Sequence, residues 1–331
     1  MVIERAADVE PHNDPMGRPR LLANRVRWRL PAAVPTVSII VPTRDRLDLL
    51  APCVESVLKS APSYPGPIEL LLVDNDSVET ATREYFARLG PGPQSQTTAP
   101  AGAPLPANAT VRILHQGGAF NWSAINNAAA RAATGEVLVF LNNDTLVLTP
   151  EWCVELVANA LRPDVGAVGA RLLYQDGTIQ HAGVLLGVEG VAGHEAVGEA
   201  PADGGYFGRT HLLRSASAVT GACLATRREL FLSLDGGFDE LNLKIAFNDI
   251  DYCMRVRRAG YRVVYDPYAV LYHFESKSRG RETTPAQQAR LGAEARAFRA
   301  RWGEAVGADP YYNPHFERHA RPFDRLRPPP D

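Results

Sequence analysis

Thr36-Val37-Ser38-Ile39-Ile40-Val41-Pro42-Thr43-Arg44-Asp45 is the stretch that decides the fold. Its apolar run is short, β-branched and stopped by Pro42, the pattern of a strand buried on both faces. Outward from it, Leu47–Lys59 carries helical spacing, Ile68–Val73 repeats the buried-strand pattern, and Thr80–Leu89 reads as helix. Val111–Leu114 then reads as strand, Trp122–Ala133 as helix and Val137–Leu141 as a fourth buried strand. Four alternations of strand and helix predict an α/β fold, a mostly parallel sheet with helices on both faces.

The flanks differ. Residues 1–35 are polar, Pro-rich and Arg-rich and form an N-terminal arm, in which Leu21–Leu30 is expected as a short helix. Gly90–Ala109, rich in Pro, Gly, Gln and Thr, is expected as a solvated excursion. After Gly166 glycines become frequent and short apolar runs alternate with turns, giving a mixed region. Ser217–Thr226 reads as a strand, Asn248–Ala259 as a helix, Arg262–His273 as one or two strands and Thr284–Trp302 as a C-terminal helix before a Pro-rich tail.

The 331 residues are 45% hydrophobic and 22% charged, which excludes disorder of the chain as a whole. Thirty-five basic against 37 acidic residues give a net charge of −2, leaving no bulk electrostatic case for nucleic acid. Apolar runs such as Val137–Leu141 are far shorter than the roughly 20 residues of a membrane-spanning helix. Met1–Asp14 carries acids where a signal peptide would be basic and then apolar, so the expected location is cytoplasmic, with peripheral contact at the cytoplasmic face of the inner membrane left open. Cys53, Cys153, Cys223 and Cys253 are widely spaced among apolar neighbours and read as core residues.

Ligands of open α/β sheets bind at the carboxyl ends of the strands. Here those ends are polar and acidic: Pro42-Thr43-Arg44-Asp45, Asp74-Asn75-Asp76-Ser77 and Asn142-Asn143-Asp144-Thr145. Asp45, Asp76, Ser77 and Thr145 are also ordinary helix-capping types, but capping does not require acids at several ends together. Neither G-x-G-x-x-G nor G-x-x-x-x-G-K-[ST] occurs, so a bound diphosphate would need a metal, and Mg²⁺ or Mn²⁺ takes carboxylate and phosphate oxygens. Asp144 is the best single ligand candidate. A second constellation, Phe247-Asn248-Asp249-Ile250-Asp251-Tyr252, follows Gly236-Gly237-Phe238-Asp239-Glu240, and His273 ends an apolar strand before a dense polar loop. Acids at a helix start are also favoured by its dipole.

Taken in order, V-P-T-R-D-R, V-D-N-D-S, G-E-V-L-V-F-L-N-N-D-T, G-G-F-D-E, F-N-D-I-D-Y-C-M-R, A-G-Y-R-V-V-Y-D-P and H-F-E-S-K-S-R-G resemble the family 2 glycosyltransferases of the GT-A fold from about Thr36 to Gly280. F-N-W-S-A-I-N-N (Phe120–Asn127), I-Q-H-A-G (Ile179–Gly183) and Asp309-Pro310-Tyr311-Tyr312-Asn313-Pro314 resemble a subgroup found in bacterial O-antigen and rhamnan assembly. The resemblance implies a GT-A-like, Rossmann-type domain over residues 36–280, with 36–145 holding the nucleotide, 146–280 bringing base and acceptor, and 281–331 forming the C-terminal helix and tail.

It also implies roles. Asp74 reads the pyrimidine, with Thr43, Arg44, Asn142 and Asn143 on the donor; Asp144 and His273 hold Mn²⁺ or Mg²⁺; and Asp249 is the catalytic base. Asp239, Asp251 and His181 are acceptor-side candidates. The implied donor is a UDP- or dTDP-linked sugar, the acceptor a carbohydrate or lipid-linked glycan, and the outcome inversion at the anomeric carbon. Three positions depart from the family pattern: Asn142 stands for the first acid of D-x-D, Asn248 for the Glu that commonly precedes the base, and Ile125 for a common Arg. Two other classes share some of these features, a sugar nucleotidyltransferase and a noncatalytic carbohydrate-binding or scaffold module.

Overall fold

An apolar run that fills two cores at once needs a sheet covered on both faces. The computed structural model, which describes residues 1–4, 25–89, 105–188, 190–274 and 284–328, has such a sheet. In chain order the first elements are β1 (Val2–Glu4), β2 (Arg25–Arg27), β3 (Val37–Thr43), α1 (Leu47–Ser60), β4 (Ile68–Asp74), α2 (Thr80–Leu89), β5 (Ala109–His115), α3 (Trp122–Ala132) and β6 (Val137–Leu141). Then come β7 (Thr145–Val147), α4 (Trp152–Ala160), β8 (Val165–Leu173), β9 (Ile179–His181), β10 (Val184–Leu186), β11 (Ala192–His194) and β12 (Arg214–Ser215). The chain closes with β13 (Cys223–Arg227), α5 (Arg228–Ser233), α6 (Asn248–Arg258), β14 (Arg262–His273) and α7 (Pro285–Gly307).

Ten of the described strands form one sheet, in the order β12-β14-β8-β13-β6-β3-β4-β5, with β7 on β14 and β9 on β8. β3, β4, β5 and β6 pair in parallel, β13 runs antiparallel between β6 and β8, and β14 is parallel to β8. Val37, Ile39, Val41, Leu70, Leu72, Val137, Val139 and Leu141 pack with α1, α2 and α4, whereas Ile40, Leu71, Val73, Leu138 and Phe140 pack with α3, α6 and α7. The period of two across a doubly covered sheet is what makes these runs apolar without a gap.

Pro42 does not stop β3, which continues to Thr43. The Thr43 carbonyl bonds to Asn75 on the β4 side, so Pro42 faces the β6 side, and there the ladder already ends at Ile40. No hydrogen bond is lost to its missing N–H. Arg25–Arg27 is a strand paired with β1, not the helix expected over Leu21–Leu30; residues 21–24 lie outside the described residues. Likewise, most of the Gly90–Ala109 excursion and the polar loop after Phe274 lie outside them.

Over Ser217–Thr226 only the second half is strand. Arg262–His273 is a single strand whose pairing with β8 shifts between Asp266 and Val270. α7 begins with a capping box, Thr284 taking the Gln287 N–H and Gln287 the Thr284 N–H. Beyond it the tail packs rather than frays: Tyr312, Phe316 and Phe323 cluster with Leu185 and Val188, and Asp309 accepts from the Leu186 N–H at 2.6 Å.

Candidate active site

From β3 the chain builds outward through β4 to β5 and then returns to β6 on the other side of β3, so the sheet changes direction between β3 and β6. A crevice opens at such a switch point because the loops on either side diverge. One hydrogen bond spans it: the Asn143 amide donates to Thr43 Oγ1 at 2.9 Å, and both residues are buried. Arg44 stands exposed on the same loop. At the end of β4, Asp74 accepts from the Ser77 N–H at 2.9 Å through Oδ1 and lies 3.1 Å from His115 Nδ1 through Oδ2. Asp45 does cap, taking the N–H groups of Val78 and Glu79 at 2.7 and 2.8 Å ahead of α2.

Asp144 and His273 are far apart in sequence, and β7 joins them. Immediately after Asp144 the chain pairs antiparallel with β14, Thr145 opposite His273, which sets His273 Nε2 3.2 Å from Asp144 Oδ1. The surroundings of the imidazole are specific. Its Nδ1 lies 2.6 Å from Gln180 Oε1, and its Nε2 lies 3.3 Å from Asn142 Nδ2. Asn142 in turn accepts from the Trp122 indole N–H at 3.3 Å.

Asp249, half-buried at the start of α6, accepts from the Gly221 N–H at 2.7 Å through Oδ2 and from the Ile250 N–H at 2.8 Å through Oδ1. A Cβ on Gly221 would lie 2.8 Å from the Trp122 ring and 3.3 Å from Asp249 Cβ, so a bare backbone lets the indole and the carboxylate share this wall. Asp144, His273, Asn142, Trp122, Gly221 and Asp249 thus form one continuous set of contacts.

The other acids have different surroundings. Asp251 is fully buried and accepts from Arg255 Nε (2.9 Å), Arg301 Nη1 (2.8 Å) and the Trp302 indole (2.9 Å). Asp239 binds Arg301 at 2.7 Å and caps its own loop through the N–H groups of Leu241 and Asn242. Burial opposes its ionisation, but the Asn242 N–H and amide and the Arg301 guanidinium together hold its carboxyl below the usual range. His181 is fully buried edge-on to His194, ring centroids 4.8 Å apart, and burial first, then His194, hold its pKa well below that of an ordinary imidazole. Asn248 ties α6 to α3 through Ser123 Oγ at 2.9 Å.

Asp144 and His273 suit a divalent ion. Two donors 3.2 Å apart are spaced as adjacent ligands of an octahedral cation with metal–oxygen distances of about 2.1 Å. Among the described residues no three His, Cys, Asp or Glu side chains gather as a cage; a site with two protein ligands takes the rest from phosphate and water, as Mg²⁺ sites commonly do. Sequence reasoning missed Gln180, whose only sign was the I-Q-H-A-G stretch; Trp122 packs in the core against Phe140 and Phe238 and also donates to Asn142.

A doubly covered sheet with an antiparallel strand between β6 and β8, and a metal-suited pair at its switch point, defines the GT-A class of fold. The sequence profile "Glycosyl transferase family 2" matches residues 38–233, more than half of the chain, and the chain belongs to that family. It is 44% identical over 299 residues to "Uncharacterized protein y4gI" of Sinorhizobium fredii, covering 90% of this chain and 31% of that one. It is 42% identical over 299 residues to "O-antigen biosynthesis protein RfbC" of Myxococcus xanthus, covering 90% of this chain and 21% of that one. The chain therefore spans less than a third of the length of either curated relative.

In fold it is similar to the mannosyltransferase PcManGT of Pyrobaculum calidifontis, solved with GDP-Man and Mn²⁺ (TM-score 0.53, 20% identity, 86% of this chain and 72% of that one). It is similar also to GalNAc-T7, solved with UDP, GalNAc and Mn²⁺ (TM-score 0.56, 16% identity, 86% of this chain and 53% of that one).

Proposed function

We propose that the chain is a metal-dependent, inverting glycosyltransferase that moves a sugar from a UDP- or dTDP-linked donor to a carbohydrate or lipid-linked glycan acceptor in surface polysaccharide synthesis. The observation that carries this reading is the Asp144–His273 pair at the switch-point crevice, joined through Asn142, Trp122 and Gly221 to Asp249. The likeness to an O-antigen biosynthesis protein supports the polysaccharide context.

In this reading Asp74 accepts the pyrimidine ring N–H, and Thr43, Arg44, Asn142 and Asn143 line the nucleotide. Asp144 and His273 would hold Mn²⁺ or Mg²⁺, which when bound would supply positive charge against the diphosphate. Asp249 takes the proton from the acceptor hydroxyl while that oxygen attacks the anomeric carbon from the face opposite the diphosphate. One displacement with one base inverts the configuration. The Gly221 N–H aims the Asp249 carboxylate through the hydrogen bond it donates to Oδ2. Asp239 and His181 lie on the acceptor side, where Asp239 shapes the loop before α6. Among the described residues no helix is long and apolar enough to cross a membrane; the proposed location is the cytoplasmic face, held peripherally.

Thermal shift against UDP-, dTDP- and GDP-sugars with and without Mn²⁺ tests the reading, because a ligand that binds only the native state raises its stability. A shift confined to pyrimidine nucleotides plus Mn²⁺ supports it. Equal shifts without the metal, or with GDP-sugars alone, contradict it.

A further inference from the structure

Gln180, in the middle of β9, is buried and reaches past the end of β8 to the last residue of β14. It makes two contacts with one residue: Nε2 donates to the His273 carbonyl at 3.3 Å, and Oε1 lies 2.6 Å from His273 Nδ1. The first fixes the second, because a backbone carbonyl only accepts, so the NH₂ end of the amide must face it and the oxygen must face the ring. Nδ1 therefore carries a proton.

The opposite side of the ring gives the same answer independently. The Trp122 indole N–H only donates, so Asn142 turns its carbonyl to Trp122 and its NH₂ to His273 Nε2. Nε2 then receives a donor and presents a lone pair. Asp144 Oδ1 lies 3.2 Å from the same nitrogen, so a cation that displaced the Asn142 amide from the Nε2 lone pair would have both as ligands.

The geometry points to Gln180 as a positioning residue that locks His273 in the Nδ1–H tautomer and so presents Nε2 to the metal beside Asp144. This rests on the metal-dependent reading of the site and adds to it a role for the I-Q-H-A-G stretch. A side chain that bonds the far nitrogen of a metal-binding imidazole fixes the ring and its tautomer, and its loss typically costs about 10- to 100-fold in metal affinity. Asn142 gains a role too: where the family has an acid, an amide here holds Nε2 in its lone-pair form.

The test begins with the unmutated, metal-free protein labelled with ¹⁵N-histidine. The His273 signal, identified by its loss in His273→Ala, is expected to show a protonated Nδ1 and an unprotonated Nε2. In Gln180→Leu, where only the 3.3 Å Asn142 contact still favours the Nδ1–H form, the Nε2–H tautomer should gain population, and Mn²⁺ titrated by EPR in the presence of UDP or dTDP should bind about 10- to 100-fold more weakly. Gln180→Glu, which keeps an acceptor on Nδ1 but sets its second oxygen against the His273 carbonyl, should recover the tautomer and only part of the Mn²⁺ affinity. A wild-type proton on Nε2 overturns the inference, as does Mn²⁺ binding by folded Gln180→Leu equal to wild type. If Gln180→Leu does not fold, the wild-type tautomer and Gln180→Glu decide. Unchanged Mn²⁺ binding in His273→Ala would instead overturn the metal reading itself, so the two failures are distinct.

Discussion

Gly221 donates its backbone N–H to Asp249 Oδ2 at 2.7 Å, and a Cβ in its place would lie 2.8 Å from the Trp122 ring and 3.3 Å from Asp249 Cβ. The carboxylate is thereby held between the turn before β13 and the Ile250 N–H of its own helix. Asp249→Asn can keep that hydrogen bond through its amide oxygen but cannot accept a proton at neutral pH. Transfer should fall by about 10²- to 10⁴-fold with donor affinity and melting temperature near wild type. Turnover within a few-fold of wild type in a folded variant would make another group the base.

Asp251 lies two residues further on and should respond in the opposite way. Asp251→Ala leaves the Arg255 guanidinium buried without its carboxylate and removes the acceptor of Arg301 and Trp302. Breaking a buried pair from one side costs about 3–5 kcal/mol, readable as a lower urea midpoint. A loss under about 1 kcal/mol, the scale of an exposed pair, would mean that the network contributes little.

Asp74→Asn should weaken UDP or dTDP binding by about tenfold or more, since a hydrogen bond to a charged group is worth roughly 1.5–3 kcal/mol, while the response to Mn²⁺ persists. Calorimetry distinguishes the outcomes. Equal nucleotide affinity would leave Asp74 as the cap of the Ser77 turn.

Asp266 predicts a pH effect on stability. Burial, then the Glu155 carboxylate, push it up to about 7 from an ordinary value of 3.8, even though Asn159 and the Tyr268 N–H bond to it. The folded state thus holds a proton that the unfolded chain has released. The stabilisation is complete below about pH 4, declines as pH rises, and is lost above about pH 7. Asp266→Asn should remove this slope, measured as urea unfolding between pH 4.5 and 8; an unchanged slope would assign it to other groups.

Strand positions and the polar strand ends were legible because both follow local rules, a period of two and the residues that come after an apolar run. Pro42 misled because whether a proline ends a strand depends on where the neighbouring ladder stops, which is set by β6, a hundred residues later. The Asp251–Arg255 spacing was visible as an i,i+4 pair, but not its burial, which comes from Arg301 and Trp302 on α7. Gln180 stood in a conspicuous stretch without a role, since its partner lies 93 residues away. Contacts made across the sheet leave only residue types in the sequence, not who meets whom.

Metal-dependent cleavage of a nucleoside diphosphate sugar at the anomeric bond is readable as slow hydrolysis without acceptor. The protein is incubated with UDP- and dTDP-sugars in Mn²⁺, and the nucleotide products are separated by chromatography. UDP or dTDP should be released, and the release should stop on chelation and in Asp144→Ala and His273→Ala. Release of a nucleoside monophosphate would place the chemistry at the diphosphate bridge, as in a nucleotidyltransferase. No release from any donor, with the folded protein and metal present, would contradict the claim in favour of a noncatalytic module.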